Sequence, residues 1–159
     1  MQPDKFPITP SGYKKLETEL QHLKVVERPA VINAIAEARA HGDLSENAEY
    51  TAAREKQGFI EAKILDLENQ ISRAMVIDMS DFKGTQVKFG ARVTLLDEES
   101  EAEIVYTLVG NYEANLNEGR ISIDSPLAKA LIGKNKGDNI EVTTPRGTKY
   151  YEIILVEYV

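Results

Sequence analysis

Ala38-Arg39-Ala40-His41-Gly42-Asp43-Leu44-Ser45-Glu46-Asn47-Ala48-Glu49-Tyr50 is the stretch on which the fold turns. Gly42 is the only glycine between Gly12 and Gly58, and it interrupts what is otherwise a long helical pattern. Before it, Tyr13, Leu16, Leu20 and Leu23 recur at steps of three, four and three, which is a heptad seam. The pattern carries on through Val26, Ala30, Ile32 and Ile35 to Ala40. Thr9-Pro10 suits its start, with Thr as N-cap and Pro at the first helical position. Pro29 lies inside the pattern and predicts a kink. His41-Gly42 predicts the stop, with Gly42 as the left-handed residue beyond the helix.

After the glycine a second helix is predicted from Asp43–Ser45 to about Met75, with its seam at Ile60, Ile64, Leu67, Ile71 and Ala74. Ala48, Ala52 and Ala53 are small and let two helices approach closely. Thirty helical residues span roughly 45 Å, and two helices joined by a short turn run antiparallel. Residues 1–78 are therefore expected to form an antiparallel coiled-coil hairpin whose tip is residues 41–50.

Beyond Met75-Val76-Ile77-Asp78 the period changes. Gln86–Phe89, Ala91–Leu96, Glu103–Val109 and Arg120–Ile123 read as strands, separated by Gly84, Gly90, Gly110 and the acidic turn Asp97-Glu98-Glu99-Ser100-Glu101. Ser125-Pro126 opens a short helix closed by Gly133, and Asn139–Thr144 with Lys149–Tyr158 forms a hairpin about Pro145-Arg146-Gly147. Residues 79–159 are expected to be a small α+β domain, so the fold class is α+β.

Composition limits the chemistry. The chain has 159 residues, no Cys and only two histidines, His22 and His41, which excludes disulfides, thiolate metal sites and a Cys nucleophile. No apolar run is long enough for a membrane span, and the start has no apolar signal region, so a cytoplasmic protein is expected. Net charge is −7, shared between the halves: residues 1–78 carry 10 basic and 13 acidic side chains, and residues 79–159 carry 9 and 13. Such a chain is a poor autonomous binder of nucleic-acid phosphates, although a local basic patch is compatible with it.

Asp43 and Glu46 stand at i and i+3 and share a face. One reading is a capping box, with Asp43 as N-cap and Glu46 at N3, favoured also by the helix dipole. The other is a carboxylate pair held out for a divalent cation such as Mg²⁺, whose remaining ligands come from a partner. Arg39, Arg54 and Lys56 are either a solvated face or a small patch for a phosphate backbone. Tyr50 either packs across the hairpin or stacks on a base. Ser45 with His41 carries no mark of a triad, and Lys134-Asn135-Lys136-Gly137 resembles a phosphate loop only superficially.

The run from Ile35 through Tyr50, continued by Ala52-Ala53-Arg54-Glu55-Lys56-Gln57-Gly58-Phe59, closely resembles the bacterial transcript cleavage factors of the Gre family. The likeness extends over Pro10-Ser11-Gly12, Ala74–Asp78, Ser125–Gly133 and Val156-Glu157-Tyr158. It implies a monomeric factor that is not itself an enzyme and has no tightly bound cofactor. Such a factor inserts its coiled coil into the secondary channel of RNA polymerase. Asp43 and Glu46 would there help hold a Mg²⁺ ion shared with the polymerase, which cleaves the nascent RNA near its displaced 3′ end. Arg39, Arg54 and Lys56 would face that RNA. The second domain would resemble an FK506-binding-protein fold and dock at the channel rim through Asp124, Ser125 and Pro126. Ser45 departs from the family, which commonly carries a Lys there.

Other functions remain to be weighed. A channel-blocking Gre homologue would share the shape and inhibit transcription; the intact Asp43/Glu46 pair argues against it. A prolyl isomerase or chaperone could be drawn from the second domain's fold, but such an enzyme needs an aromatic-lined pocket. With no Trp and only Phe82 and Phe89 in that half, the pocket is expected to be poorly supplied.

Overall fold

The computed structural model describes residues 4–42 and 47–158. They group into two compact units: Tyr13–Ala74 in one, and Asp4–Gly12 with Met75–Val159 in the other.

The first unit is an antiparallel helical hairpin. Helix α1 (Pro10–His22) runs through a π turn (Leu23–Glu27) into α2 (Arg28–Arg39), and α3 (Ala48–Arg73) returns. The direction is set by the contacts: Ala38 meets Asn47, Arg28 meets Glu61, and Lys24 meets Glu68. Val31, Ile60 and Ile64 form the buried seam, with Leu20 and Leu23 packed on it. Ile35, Ala38, Ala53 and Leu67 are also buried. Ion pairs flank the seam: Glu19–Lys63, Lys24–Glu68, Glu27–Lys56 and a two-pronged Arg28–Glu61 at 2.8 and 2.9 Å.

The π turn is the local answer to Pro29. Proline has no N–H and its ring crowds the carbonyl four residues back. Here the Arg28 N–H reaches back five residues to the Leu23 carbonyl. The wider turn inserts one extra residue and shifts the phase of everything after it. Without that shift, the seam begun by Tyr13, Leu16, Leu20 and Leu23 would continue through Ala30, Ala34 and Glu37. With it, Val31, Ile35 and Ala38 face α3. The expected seam at Val26, Ala30 and Ile32 is therefore corrected: Val26 and Ile32 are both 51% exposed.

In the second unit, β1 (Phe6–Ile8) pairs with β2 (Ala74–Val76) in a two-stranded sheet. The main sheet comprises β3 (Arg92–Asp97), β4 (Glu103–Val109), β5 (Arg120–Ser122), β6 (Asn139–Thr144) and β7 (Gly147–Glu157) in the order β5-β4-β3-β7-β6. Its neighbours are antiparallel except β4 with β5. Along β3, Val93, Leu95 and Asp97 point inward and are buried, as period-two alternation requires. Opposite them β7 carries one extra residue, because Thr94 pairs with Leu155 and Leu95 with Ile153. Such a bulge increases local twist and bends the sheet. The short helix α4 (Pro126–Leu131) packs Ala128 and Leu131 onto the sheet's buried face with Val87, Leu108, Ile140 and Ile153.

Gln86–Phe89 was expected as a strand, and only an isolated bridge from Gln86 to Asn135 forms. The Val87 N–H and carbonyl bond to the Lys134 carbonyl and the Gly133 N–H at 2.7 and 2.9 Å, and the Tyr158 hydroxyl serves the residues on either side. It accepts from the Lys88 N–H at 2.9 Å and donates to the Gln86 carbonyl at 2.5 Å. Val87 between them is fully buried.

The Thr9 N-cap is present, with its Oγ1 accepting from the Gly12 N–H at 3.0 Å. Glu113 holds the cap in place. Its carboxylate accepts from the Thr9 hydroxyl and, at 3.0 and 2.9 Å, from the N–H groups of Thr9 and Gly110. A Cβ at Gly12 would overlap that pinned carboxylate, so only glycine fits.

Candidate functional site: the closed end of the helical hairpin

The hairpin narrows where its seam turns to alanine. Ala38 on α2 and Ala53 on α3 are the buried residues nearest the turn. Ala40 N–H still bonds back to the Ala36 and Glu37 carbonyls, and Gly42 follows with φ +123°, a conformation side chains rarely adopt.

Asn47 restarts the helix. Its Oδ1 accepts from the Tyr50 N–H at 3.0 Å, a full N-cap, and its Nδ2 donates to the Ala38 carbonyl at 2.6 Å. One side chain thus caps α3 and ties it to the last turn of α2. This corrects the expected helix start: α3 begins at Ala48, and the N-cap is Asn47, not Asp43. Asp43, Ser45 and Asn47 are all of residue types that cap helices, and propensity alone does not choose among them. Asp43 and Glu46 themselves lie outside the described residues.

Arg39 and Tyr50 meet across the closed end, the guanidinium carbon 5.9 Å from the ring centre. Packing across the hairpin is therefore the role the structure gives Tyr50. Arg54 is exposed. Lys56 points along the hairpin flank, its ammonium 4.0 Å from the Glu27 carboxylate. Arg39 and Tyr50 are thus brought together, while Lys56 is engaged lower down. Among the described residues no cluster of His, Asp and Glu could hold a metal ion.

The loop of the second unit that carries Asp124, Ser125 and Pro126 is ordered by side-chain bonds. Asn111 Nδ2 donates to Asp124 Oδ2 at 2.6 Å, and the Asp124 N–H bonds to Ser122 Oγ at 3.1 Å. Ser125 caps α4, its Oγ accepting from the Ala128 N–H at 3.2 Å, and Pro126 follows at the first helical position. Ser125 and Pro126 also line a cavity of about 320 Å³ with Tyr106 and Tyr151. An aromatic-lined pocket therefore exists. Its rings come from Tyr106 on β4 and Tyr151 on β7, a signal that a count of Phe and Trp passes over.

The whole chain can now be set beside known proteins. Residues 6–76 match the family described as transcription elongation factor, N-terminal, and residues 83–158 match transcription elongation factor, GreA/GreB, C-term. The chain belongs to the GreA/GreB family of transcription elongation factors. It is 60% identical to transcription elongation factor GreA of Rickettsia prowazekii over 97% of this chain and 95% of that protein. It is 58% identical to the GreA of Phenylobacterium zucineum over 98% of this chain and 99% of that one. A crystal structure of GreA factor homolog 1 of Thermus thermophilus is 26% identical and covers 96% of this chain and 99% of that one, at a TM-score of 0.44. Within the GreA/GreB frame, both family halves are present in order, the hairpin first and the curled sheet second. No described helix is long and apolar enough to cross a membrane.

Proposed function

We propose that this chain acts as a monomeric transcript cleavage factor in the bacterial cytoplasm, entering the secondary channel of RNA polymerase with its hairpin tip. There it stimulates the polymerase's own hydrolysis of the RNA 3′ segment in backtracked complexes. The observation that carries the reading is the closure of the hairpin on either side of Asp43 and Glu46. Ala38 and Asn47 are bonded to each other, so the two helices are tied together at the residues that flank the acidic segment. GreA/GreB membership over both halves supports the same role.

Two carboxylates are hard oxygen donors of the kind Mg²⁺ accepts together with waters and phosphates. Asp43 and Glu46 would hold such an ion jointly with the polymerase. A second metal in that site supplies charge stabilisation and an activated water for phosphodiester cleavage. This chain's own contribution is then to position the carboxylates and exclude bulk water with the hairpin, so it is a helper of the polymerase active site and not an enzyme by itself. Arg39 and Arg54 would face the RNA, with Arg39 oriented by Tyr50. Asp124, Ser125 and Pro126 would dock the sheet unit at the channel rim. The FK506-binding-protein likeness of that unit is part of this reading as architecture.

The test is RNA cleavage in a stalled, backtracked elongation complex with Mg²⁺. Wild type is expected to shorten the RNA, while an Asp43→Ala/Glu46→Ala double variant binds and fails to cleave, a loss of at least about a hundredfold for removal of a metal-ligand pair. If both bind, compete for the channel and leave the RNA intact, the chain is a blocking homologue. Nuclease activity of the isolated chain would overturn the donated-site reading.

A further inference from the structure

One flank of the hairpin carries apolar side chains that lie open to solvent. The two-pronged Arg28–Glu61 pair marks that flank. One helical turn from it toward the closed end stand Ile32 on α2, four residues after Arg28, and Gly58 on α3, three residues before Glu61. One turn the other way is Leu65, four residues after Glu61. Ile32 is 51% exposed and Leu65 69% exposed. Gly58 is exposed as well, and a Cβ added to it would meet no atom within 4 Å. Glycine is the weakest helix former after proline, yet this one sits inside the 26-residue α3. The seam does not ask for it, because α2 packs on Ile60 and Ile64. Gly12 is required by Glu113, whereas among the described residues nothing requires Gly58. The flank is also neutral, in a chain of net charge −7. Arg28 is held by Glu61, and Lys24 further down by Glu68. Charge resumes only at Arg54, one turn nearer the closed end. A phosphate backbone finds no free cation at Gly58, but an uncharged protein surface fits.

We infer that Ile32, Gly58 and Leu65 form a docking notch for an uncharged segment of RNA polymerase, whose main chain comes close to α3 at Gly58 and whose apolar side chains cover Ile32 and Leu65. The inference rests on the functional reading above and gives the hairpin one defined contact with the polymerase. A residue without Cβ lets a partner's backbone approach nearer than any other would. Gly58 lies ten residues past the start of α3, about 15 Å along the helix, so the notch travels with Arg54 and the closed end. Covering two exposed aliphatic side chains supplies apolar burial, and a neutral flank adds no unpaired charge to desolvate. A hairpin held on one flank has one rotation about its own axis. That rotation decides which way Arg54 faces.

The experiment titrates full-length wild type and four variants into stalled, backtracked complexes and reads the half-maximal concentration for cleavage, beside the melting temperature of the free factor. Gly58→Ala exchanges a poor helix former for the best one, so it should raise the melting temperature and yet raise the half-maximal concentration about threefold. Gly58→Leu should raise that concentration about tenfold, again with no loss of melting temperature. A merely structural glycine would lose stability and potency together, whereas here the two move apart. Ile32→Gln should raise the concentration about fivefold with little change in melting, because the side chain is half exposed. Ala52→Leu adds bulk on the flank of the Lys56–Glu27 pair, four residues before Lys56, and should stay within about twofold of wild type. If both Gly58 variants and Ile32→Gln titrate like wild type while wild type cleaves, the notch is overturned and the functional reading stands. If Ala52→Leu weakens the titration as much as Gly58→Leu, the hairpin rejects bulk on either flank and the notch is overturned. If wild type sediments as a dimer that Gly58→Leu separates, with no change in the titration, the notch joins two copies and the inference fails. If wild type never engages polymerase, both readings fall.

Discussion

The hairpin and the sheet unit bury apolar surface in opposite ways. The sheet unit gathers residues from β3, β4, β5, β6, β7 and α4 into one continuous core, in which Val93, Leu95, Leu108, Ala128 and Leu131 are wholly buried. The hairpin has only a seam one residue wide, and the seam weakens along its length. Ile64 and Leu67 are nearly inaccessible, whereas toward the turn the buried residues are Ala38 and Ala53. Where large apolar residues run out, single polar contacts take over: Asn47 to Ala38 and Tyr50, and Arg39 over Tyr50. A thin end cannot hold a thick core. The difference shows how one chain can carry a stable platform and a slender probe, with the probe's last turns fixed by hydrogen bonds.

That comparison predicts unequal sensitivities. Leu108→Ala empties a fully buried site in the continuous core and should cost about 3–5 kcal/mol, read as the largest fall in denaturation midpoint. Asn47→Ala removes a cap and a cross-hairpin bond and should cost about 1 kcal/mol. Its effect should be local: amide hydrogen exchange at Tyr50 and Thr51 should accelerate while the β3 and β7 amides stay protected. If Asn47→Ala instead lowered protection across the sheet unit as Leu108→Ala does, the contrast between platform and probe would be wrong.

Much of this division was legible in the residues. The heptad steps from Tyr13 to Leu23 and from Ile60 to Leu67 have no strand interpretation, and Gly42 between them leaves a hairpin as the only short connection. Alternation in Arg92–Asp97 and Glu103–Val109 likewise marked strands. Legibility ended where a decision depended on partners far away in sequence. The seam past Leu23 could not be phased, because the π turn that accommodates Pro29 adds a residue that periodicity does not announce. Gln86–Phe89 looks like a strand by composition, yet its hydrogen bonds come from the backbone of Gly133 and Lys134 at Val87 and from the Tyr158 hydroxyl, 70 and 72 residues away, at Lys88 and Gln86. Glu113 reads as one acidic residue among many, and only the fold shows it pinning Thr9 and excluding a side chain at Gly12. At the candidate site, the acidic motif and its flanking arginines stood out, whereas the choice of Asn47 over Asp43 as cap turns on the Ala38 carbonyl across the hairpin.

The two units also hold their carboxylates differently, and acid should separate them. Glu61 lies below its ordinary pKa chiefly because it accepts from Arg28, a pair on the hairpin flank that water reaches. Such exposed pairs contribute little. Asp97 also lies below its ordinary pKa, but the first causes are the backbone N–H groups of Glu99 and Ser100, with Lys149 adding to them. These bonds close the acidic turn after β3, where Asp97 is 6% exposed. A carboxylate lowered on folding stabilises the native state above its unfolded pKa, about 3.9 for Asp, and that contribution disappears as pH falls through the lower folded value. Asp97→Asn should therefore melt below wild type by a constant margin from pH 7 to about pH 5. The margin should close as pH drops below about 4, where the wild-type carboxylate takes up its proton. Glu61→Gln should show a smaller margin at every pH, and it should shrink further in high salt. A margin for Asp97→Asn that is the same at pH 3 as at pH 7 would mean that the turn depends on the shape of the side chain and not on its charge.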